Sequence, residues 1–279
     1  MRFTKMHGIG NDFVIVNGLT DAPDETRLPE MSRAINDRKF GVGGDGLILV
    51  LPSKVAEFKM RMFNPDGSEA EMCGNGIRCF AKYVYDRKLI PEPQVKVETL
   101  AGVKVLKLLT RAGKVEQVRV DMGTPRLLRS EIPMRGDDNG RVIGESLKCE
   151  GRKFEITAVS MGNPHVVIFE ENIDTLPLLR FGPAIENHKS FPQRTNVHFV
   201  QVCNPGEIIV RTWERGAGET LACGTGACAC VVASVLNNKT NRSVDVHLPG
   251  GDLRVEWTGD NRVLMTGPAE EVFEGSIEL

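Results

Sequence analysis

No apolar run in this sequence approaches the roughly 18 residues of a membrane-spanning helix, so no span is expected. The opening Met1-Arg2-Phe3-Thr4-Lys5-Met6 reads as a strand and lacks the apolar region of an export signal. A removed transit peptide would leave no trace. Charge of one sign is also missing: 35 Lys and Arg against 37 Asp and Glu give a net charge of −2. The basic residues are scattered, which argues against a nucleic-acid footprint. No Cys-x-x-Cys pair occurs, and the spacings Cys73 to Cys79 and Cys223, Cys228, Cys230 do not fit a structural zinc site. There is no Gly-x-x-x-x-Gly-Lys-Ser/Thr phosphate loop. Gly41-Val42-Gly43-Gly44-Asp45-Gly46 matches a dinucleotide loop only weakly and reads more simply as a tight turn.

What is present is ordinary for a globular protein: 41% hydrophobic and 26% charged residues. A length of 279 suggests about two domains, each long enough to bury a core. The seven cysteines, an odd number without an export signal, read as reduced thiols of a cytoplasmic protein, or of the plastid stroma in a processed plant chain. Cys79, Cys149, Cys203, Cys228 and Cys230 read as small packing residues.

The other two cysteines mark a duplication. Gly67-Ser68-Glu69-Ala70-Glu71-Met72-Cys73-Gly74-Asn75-Gly76 is echoed by Ala217-Gly218-Glu219-Thr220-Leu221-Ala222-Cys223-Gly224-Thr225-Gly226, an offset of 223 − 73 = 150. Further landmarks keep order and spacing. Gly10-Asn11-Asp12-Phe13-Val14-Ile15 reads against Gly162-Asn163-Pro164-His165-Val166-Val167 (163 − 11 = 152). Asp45-Gly46-Leu47-Ile48 reads against Asn196-Val197-His198-Phe199 (196 − 45 = 151), and Phe63-Asn64 against Trp213-Glu214 (214 − 64 = 150). So long a period excludes a solenoid and means two domains of like fold.

Periodicity places the motifs. Residues 12–17, 46–51, 58–63, 95–110 and 115–122 read as strands with turns near Gly102 and Gly113. Residues 28–39 and 75–88 read as helices. In the second half, 156–160, 165–169, 195–202, 208–213, 243–248, 253–257 and 262–265 read as strands, and 225–236 as a buried helix. The stretch 126–151, with Gly136-Asp137-Asp138-Asn139-Gly140, reads as the connection.

Cys73 and Cys223 each stand where a loop enters a helix. Orphan N–H groups and the helix dipole favour a thiolate there, and Gly74-Asn75 and Gly224-Thr225 can present N–H groups to a substrate carboxylate. Two thiols facing one ligand do not both ionise readily. One thiolate and one thiol form the pair needed to take a proton from one face of a carbon and return one to the other. Two other arrangements stay open: a disulfide between the halves, which a reducing compartment disfavours, and a Cys nucleophile with His165 as base, which leaves the second cysteine unexplained. Asn11, Asn64, Asn163 and Asn196 sit at strand ends or turns, where any single Asn is ordinary, but they share positions in the duplication. Glu214 can hold an ammonium and Arg215 a carboxylate.

These motifs resemble the diaminopimelate epimerase family. The resemblance rests on Met6-His7-Gly8-Ile9-Gly10-Asn11-Asp12-Phe13, Phe63-Asn64-Pro65-Asp66-Gly67-Ser68, Met72-Cys73-Gly74-Asn75-Gly76-Ile77-Arg78-Cys79-Phe80, Ser160-Met161-Gly162-Asn163-Pro164-His165, and the run from Glu214 to Cys228. It covers nearly the whole chain. It implies an α+β fold of two homologous domains, 1–118 with 268–279 packing back into it and 119–267. Each is a curved mixed sheet wrapped around a central helix, with the active site in the cleft between them. It implies cofactor-independent, metal-free interconversion of LL- and meso-diaminopimelate in lysine biosynthesis, with Cys73 and Cys223 as acid and base and His165 and Glu214 in support. Substrate contacts map onto Asn11, Asn64, Gly74, Asn75, Asn163, Asn196, Glu214, Arg215, Gly224 and Thr225. A homodimer is implied, with the small-molecule substrate as the other partner. Some family members carry Gln where Gly46 stands, so that side-chain contact is absent. Two competing readings remain at this level: a proline-racemase-like enzyme, and a thiol-based redox or metal-binding protein.

Overall fold

The computed structural model describes every residue except Ala22, Asp137, Asp138 and Leu279. Asp137 and Asp138 of the predicted connection therefore lie outside the described residues. Contacts divide the chain into two units, Met1–Asp121 with Thr266–Leu279, and Met122–Met265.

The first unit opens with β1 (Arg2–Gly8) and β2 (Asn11–Asn17). The turn between them places Ile9 and Gly10 at φ of 49° and 85°, a conformation glycine adopts without cost and isoleucine does not. Helix α1 (Leu28–Asn36), β3 (Gly46–Leu51), β4 (Phe58–Phe63), the short β5 (Glu69–Ala70) and helix α2 (Gly74–Asp86) follow, then β6 (Gln94–Thr99), β7 (Gly102–Arg111) and β8 (Lys114–Asp121). β2 pairs with β3, and β4 with β6, in parallel across the two helices; the other neighbours are antiparallel. β3 reads Gly-Leu-Ile-Leu-Val-Leu and is buried throughout, as a strand covered on both faces must be. One face carries Val14, Val16, Leu47, Leu49 and Leu51 against Leu28 and Ile35 of α1. The other face wraps around α2, which packs against β1, β2, β3, β7 and β8.

Helix α2 is buried from Gly74 to Val84 although it contains Arg78 and Lys82. Both charged ends are hydrogen-bonded, which offsets the cost of burying them: Arg78 donates through Nε and Nη1 to the Pro268 and Gly74 carbonyls, and Lys82 to Val115 O at 2.6 Å with Asp86 at 3.0 Å.

The second unit repeats the plan. It contains β9 (Glu145–Cys149), β10 (Arg152–Ser160), β11 (Pro164–Phe169), α3 (Leu178–Glu186), β12 (Asn196–Asn204), β13 (Glu207–Glu214), β14 (Gly218–Thr220), α4 (Gly224–Leu236), β15 (Ser243–Leu248) and β16 (Gly251–Trp257). β11–β12 and β13–β15 are its parallel pairs. Helix α4 packs against β10, β11, β12, β13, β15 and β16, and Ala227 through Ala233 are fully buried. α3 covers the opposite face, where Val197 and Phe199 meet Phe181 and Ile185. β17 (Val263–Pro268) spans the boundary, and β18 (Glu270–Ser276) lies antiparallel to β1 in the first unit.

Four sequence expectations need correction. α1 ends at Asn36 rather than Lys39, because Asp37 turns to ψ 121° and its carboxylate accepts the Lys39 and Phe40 N–H groups. Residues 126–151 are not only a connector, since they include β9 and lie within the second unit. Cys203 is exposed, not packed. The match of Asp45 to Asn196 is one residue out of step. Phe13 stands opposite Gly46 and His165 opposite Asn196; Leu47 stands opposite Phe63 and Val197 opposite Trp213. Gly46 therefore corresponds to Asn196 (196 − 46 = 150). Strand side chains alternate between faces, so the shift matters: His198 matches Ile48, on the face toward the central helix.

Candidate active site

Each central helix begins at a cysteine. Cys73 is the N-cap of α2, at φ −131° and ψ 124°, and Cys223 is the N-cap of α4, at φ −125° and ψ 105°. The extended backbone at the cap turns each sulfur toward the orphan N–H groups of the first helical turn. The Gly76 N–H donates to Cys73 Sγ at 3.4 Å.

In the first unit the sequence-predicted residues Asn11, Cys73, Gly74 and Asn75 come together. The Cys73 thiol meets Asn11 Oδ1 at 3.7 Å, and Asn75 Nδ2 donates to the same oxygen at 3.1 Å. Asn11 is held from behind, because its Nδ2 donates to Asp45 Oδ2 at 2.7 Å. Asp45 also accepts the Asp12 N–H at 3.1 Å and an Arg38 bond at 2.8 Å. Arg38 and Lys5 both grip Asp12. Burial works against the Asp12 carboxylate, but its bonds to Arg38 and Lys5 prevail and hold its pKa at about 2. Sequence reasoning missed this ion cluster; Asp45 stood in the glycine-rich loop but was read as part of a turn. Asn64 is bonded through Nδ2 to Ser68 Oγ at 3.0 Å, while its backbone carbonyl accepts from Ser32.

The second unit is more elaborate. Cys223 is 4% exposed. Burial pushes its thiol well above the usual thiol range and the nearby Glu214 adds to the rise, while the Thr225 hydroxyl and the Gly226 N–H oppose it. The helix N-terminus is thus outweighed here, contrary to the sequence expectation of a favoured thiolate. Thr225 Oγ1 lies 3.7 Å from Cys223 Sγ and accepts from Asn163 Nδ2 at 3.3 Å. Asn163 Oδ1 lies 2.9 Å from His165 Nε2. His165 is fully buried, and burial holds it neutral, well below the ordinary histidine range. It reaches Cys223 only through Asn163 and Thr225, so the Cys–His nucleophile pair weighed from sequence is not formed.

Glu214 accepts from Thr220 Oγ1 at 2.6 Å. Asn196 is buried with both ends engaged: Nδ2 donates to Pro164 O at 2.8 Å, and Oδ1 accepts the Arg215 N–H at 2.9 Å. It therefore braces the Arg215 loop. Arg215 itself is exposed, with one bond to Gln193 O at 3.1 Å. Glu186 of α3, absent from the sequence reading, anchors the same loop by accepting from Trp213 Nε1 at 2.7 Å and Gly216 N at 3.0 Å.

Two thiols capping equivalent helices, each with N–H donors and a fixed amide, suit proton transfer at carbon beside a carboxylate. Comparison with known proteins identifies the family. The family model described as diaminopimelate epimerase matches residues 3–128 and 157–272. A diaminopimelate epimerase of Pelotomaculum thermopropionicum is 58% identical over 275 residues, covering 99% of this chain and 98% of the relative. That of Moorella thermoacetica is 54% identical over 281 residues, covering 100% of both chains, and that of Methanococcus maripaludis 51% over 280, also 100% of both. Among solved structures, a phenazine biosynthesis protein of the PhzF family from Bacillus anthracis superposes with a TM-score of 0.71 at 18% identity, covering 100% of this chain and 99% of that one. A probable proline racemase from Agrobacterium radiobacter gives 0.69 at 15%, covering 100% and 93%. These two likenesses concern the fold.

Proposed function

This chain belongs to the diaminopimelate epimerase family, and from that premise we propose that Cys73 and Cys223 are the acid and base of its reaction. The protein is an isomerase that epimerises LL-2,6-diaminopimelate to the meso form in lysine biosynthesis. The observation that carries the residue assignment is the cysteine N-cap on the central helix of both halves.

The α-hydrogen of an amino acid is a very weak acid. One sulfur, as thiolate, removes it and becomes a thiol; the other, as thiol, delivers a proton to the opposite face and becomes a thiolate. The reverse direction exchanges the roles. The raised pKa of Cys223 suits it to be the thiol of the resting pair. The N–H groups that open α2 and α4 hold the α-carboxylate, where charge develops as the proton leaves. Asn11 orients Cys73, and Asn163 and Thr225 orient Cys223. His165 acts through Asn163, and Glu214 receives the ammonium group. Arg215, braced by Asn196, and Asn64 read the far end of the substrate. The fold leaves open a proline-racemase-like substrate, but relatives at 50–58% identity over the full chain are diaminopimelate epimerases, and this is the reading we adopt. The reading also carries a homodimer, to be checked by light scattering against a chain mass of 30.7 kDa, and a cytoplasmic setting that keeps the thiols reduced.

The test is proton NMR with LL-diaminopimelate in D₂O under reducing conditions. The α-proton signal should vanish as the meso isomer forms. Cys73→Ala and Cys223→Ala should each slow epimerisation by at least about 100-fold, as expected for loss of a positioned acid or base. Full activity in either variant would remove that thiol from the mechanism, and no exchange in the wild type would remove the substrate assignment.

A further inference from the structure

We infer that His198 is a positioning residue for Cys223, fixing the tautomer of His165 so that a string of hydrogen bonds ends with a hydroxyl proton aimed at the Cys223 sulfur. The inference deepens the role of Cys223 and rests on that reading.

The string can be followed atom by atom. Thr212 Oγ1 lies 3.0 Å from His198 Nδ1, and His198 Nε2 lies 2.9 Å from His165 Nδ1. His165 Nε2 lies 2.9 Å from Asn163 Oδ1, Asn163 Nδ2 donates to Thr225 Oγ1 at 3.3 Å, and Thr225 Oγ1 lies 3.7 Å from Cys223 Sγ. With the Asn163 amide in this orientation its oxygen only accepts, so His165 Nε2 carries the proton; the amide turned over would reverse the string, and the His198 donor, itself set by the Thr212 hydroxyl, is what opposes that reversal. In a neutral ring the His165 Nδ1 is then bare and must accept, so His198 Nε2 donates. His198 Nδ1 is bare in turn and accepts the Thr212 hydroxyl proton. At the other end Thr225 Oγ1 already accepts, which leaves its own proton for the sulfur. Both rings are fully buried and held neutral by burial, His198 down to about 3. Every donor in the string thus points one way.

The duplication shows that the fold does not require this polarity. The counterparts of His198, Thr212 and His165 are Ile48 (198 − 48 = 150), Met62 (212 − 62 = 150) and Phe13 (165 − 13 = 152). The equivalence follows from strand register: Ile48 faces Met62 as His198 faces Thr212. In the first unit Ile48 and Phe13 pack beneath Gly76, where a Cβ would meet Ile48 Cδ1 at 2.9 Å and Phe13 Cζ at 3.5 Å. In the second, the His198 ring fills the place beneath Gly226, where a Cβ would meet Cε1 at 2.3 Å. One half closes this space with hydrocarbon. The other holds three buried polar side chains there, at a desolvation cost that only complete hydrogen bonding offsets. The string leads to one thiol and not the other, which gives the polarity a catalytic rather than a structural purpose.

The experiment is nitrogen-15 NMR of full-length protein labelled only at its five histidines. His165 and His198 should both appear as neutral rings protonated at Nε2. Either ring protonated at Nδ1, or charged at neutral pH, overturns the inference. Kinetics form the second arm. His198→Phe keeps a ring but removes the donor. It should lower kcat about tenfold, the effect of one hydrogen bond, with KM changed less than about twofold, and should leave His165 a mixture of tautomers. His198→Gln, which keeps an N–H near Nε2, should restore most of kcat; unchanged kcat in His198→Phe also overturns the inference. Should His198→Phe not fold, Thr212→Val breaks the same string at its far end and must mix the His198 tautomers for the inference to stand. The tautomers are read without substrate, so a wild type inactive on diaminopimelate would remove the epimerase reading and leave the tautomer result to be judged alone.

Discussion

Arg215 and Asp12 illustrate two ways in which a single charge serves this site. Arg215 is exposed and makes one side-chain bond, so its guanidinium is available to a carboxylate, and removing it should cost binding rather than chemistry. Arg215→Ala is expected to raise KM for diaminopimelate by roughly 100-fold, the effect of one or two charge-assisted bonds, with a smaller change in kcat. A steady-state titration over substrate checks this, and an unchanged KM removes Arg215 from substrate binding. Asp12 is linked to Cys73 through other side chains: it shares Arg38 with Asp45, which holds Asn11 against the thiol. Asp12→Asn should leave the largely buried Lys5 poorly paired and destabilise the protein by about 3 kcal/mol, the lower end for breaking a buried pair. Its depressed pKa also fixes a pH dependence. The stabilisation is present above the unfolded-state pKa near 3.9, and is lost as pH falls toward about 2. The two buried histidines act in a higher window. Their pKa values lie below the unfolded value near 6.5, so stability is complete above that pH. Below it, each should remove about 1.4 kcal/mol per pH unit until its folded pKa is reached. Urea titrations between pH 8 and 4 should show this slope reduced in His198→Gln. Equal slopes in the two proteins would mean that His198 is not buried neutral.

At the scale of elements, the start of each central helix combines a cysteine cap with a glycine one turn inside, but the two glycines are not equivalent. A Cβ at position 76 would press on the end of the Ile48 side chain, which can rotate away, whereas at position 226 it would enter the ring of His198, pinned by bonds at both nitrogens. Gly226→Ala is therefore expected to cost about 1–3 kcal/mol and most of the activity, and Gly76→Ala less of both. Thermal melts and turnover of the two variants check the order, and a larger loss at position 76 would contradict it. The same comparison shows what the sequence allowed to be read. Both caps and both central helices were legible because Cys-Gly-x-Gly before an apolar helix is a local signal. Helix α3 was not expected, since Leu178–Glu186 has a proline inside it and no capping residue. Its counterpart α1 was expected, and adding 150 to Leu28–Asn36 gives the bounds of α3, so the duplication held the missing information. His198 was hidden by a one-residue slip in the alignment, which moved it to the wrong face of its strand. Only the cross-strand partners of Gly46 and Asn196 reveal that slip. The Cys223 environment was illegible for another reason: helix-terminal geometry can be read locally, whereas burial depends on the whole unit.

For the molecule as a whole, chain order and fold order disagree, because the first unit is completed by the last strand. β18 carries no clear alternation, Glu-Glu-Val-Phe-Glu-Gly-Ser, and is mostly exposed, so it gave no strand signal. Long-range partners hold it in place. It pairs along β1 from Arg2 to His7, Phe273 meets Phe3 edge-on at 5.9 Å, and Arg87 binds Glu271 and Glu274. Gly275 lies so close to the Phe3 ring that a Cβ would come within 2.7 Å of Cζ. β1 in turn leads through Ile9 and Gly10 to Asn11, which touches Cys73. Removing residues 269–279 should therefore expose one edge of β1, loosen the turn that aims Asn11, and lower activity although no substrate-binding residue is deleted. The second unit has its own core and should persist. Hydrogen exchange on the truncated protein separates the cases. Loss of protection in β1 and β2, with β10 to β12 still protected, is the expected result. Equal loss in both sets would mean that the two halves stand or fall together. Unchanged protection and activity would mean that β18 only rests against a unit already complete without it.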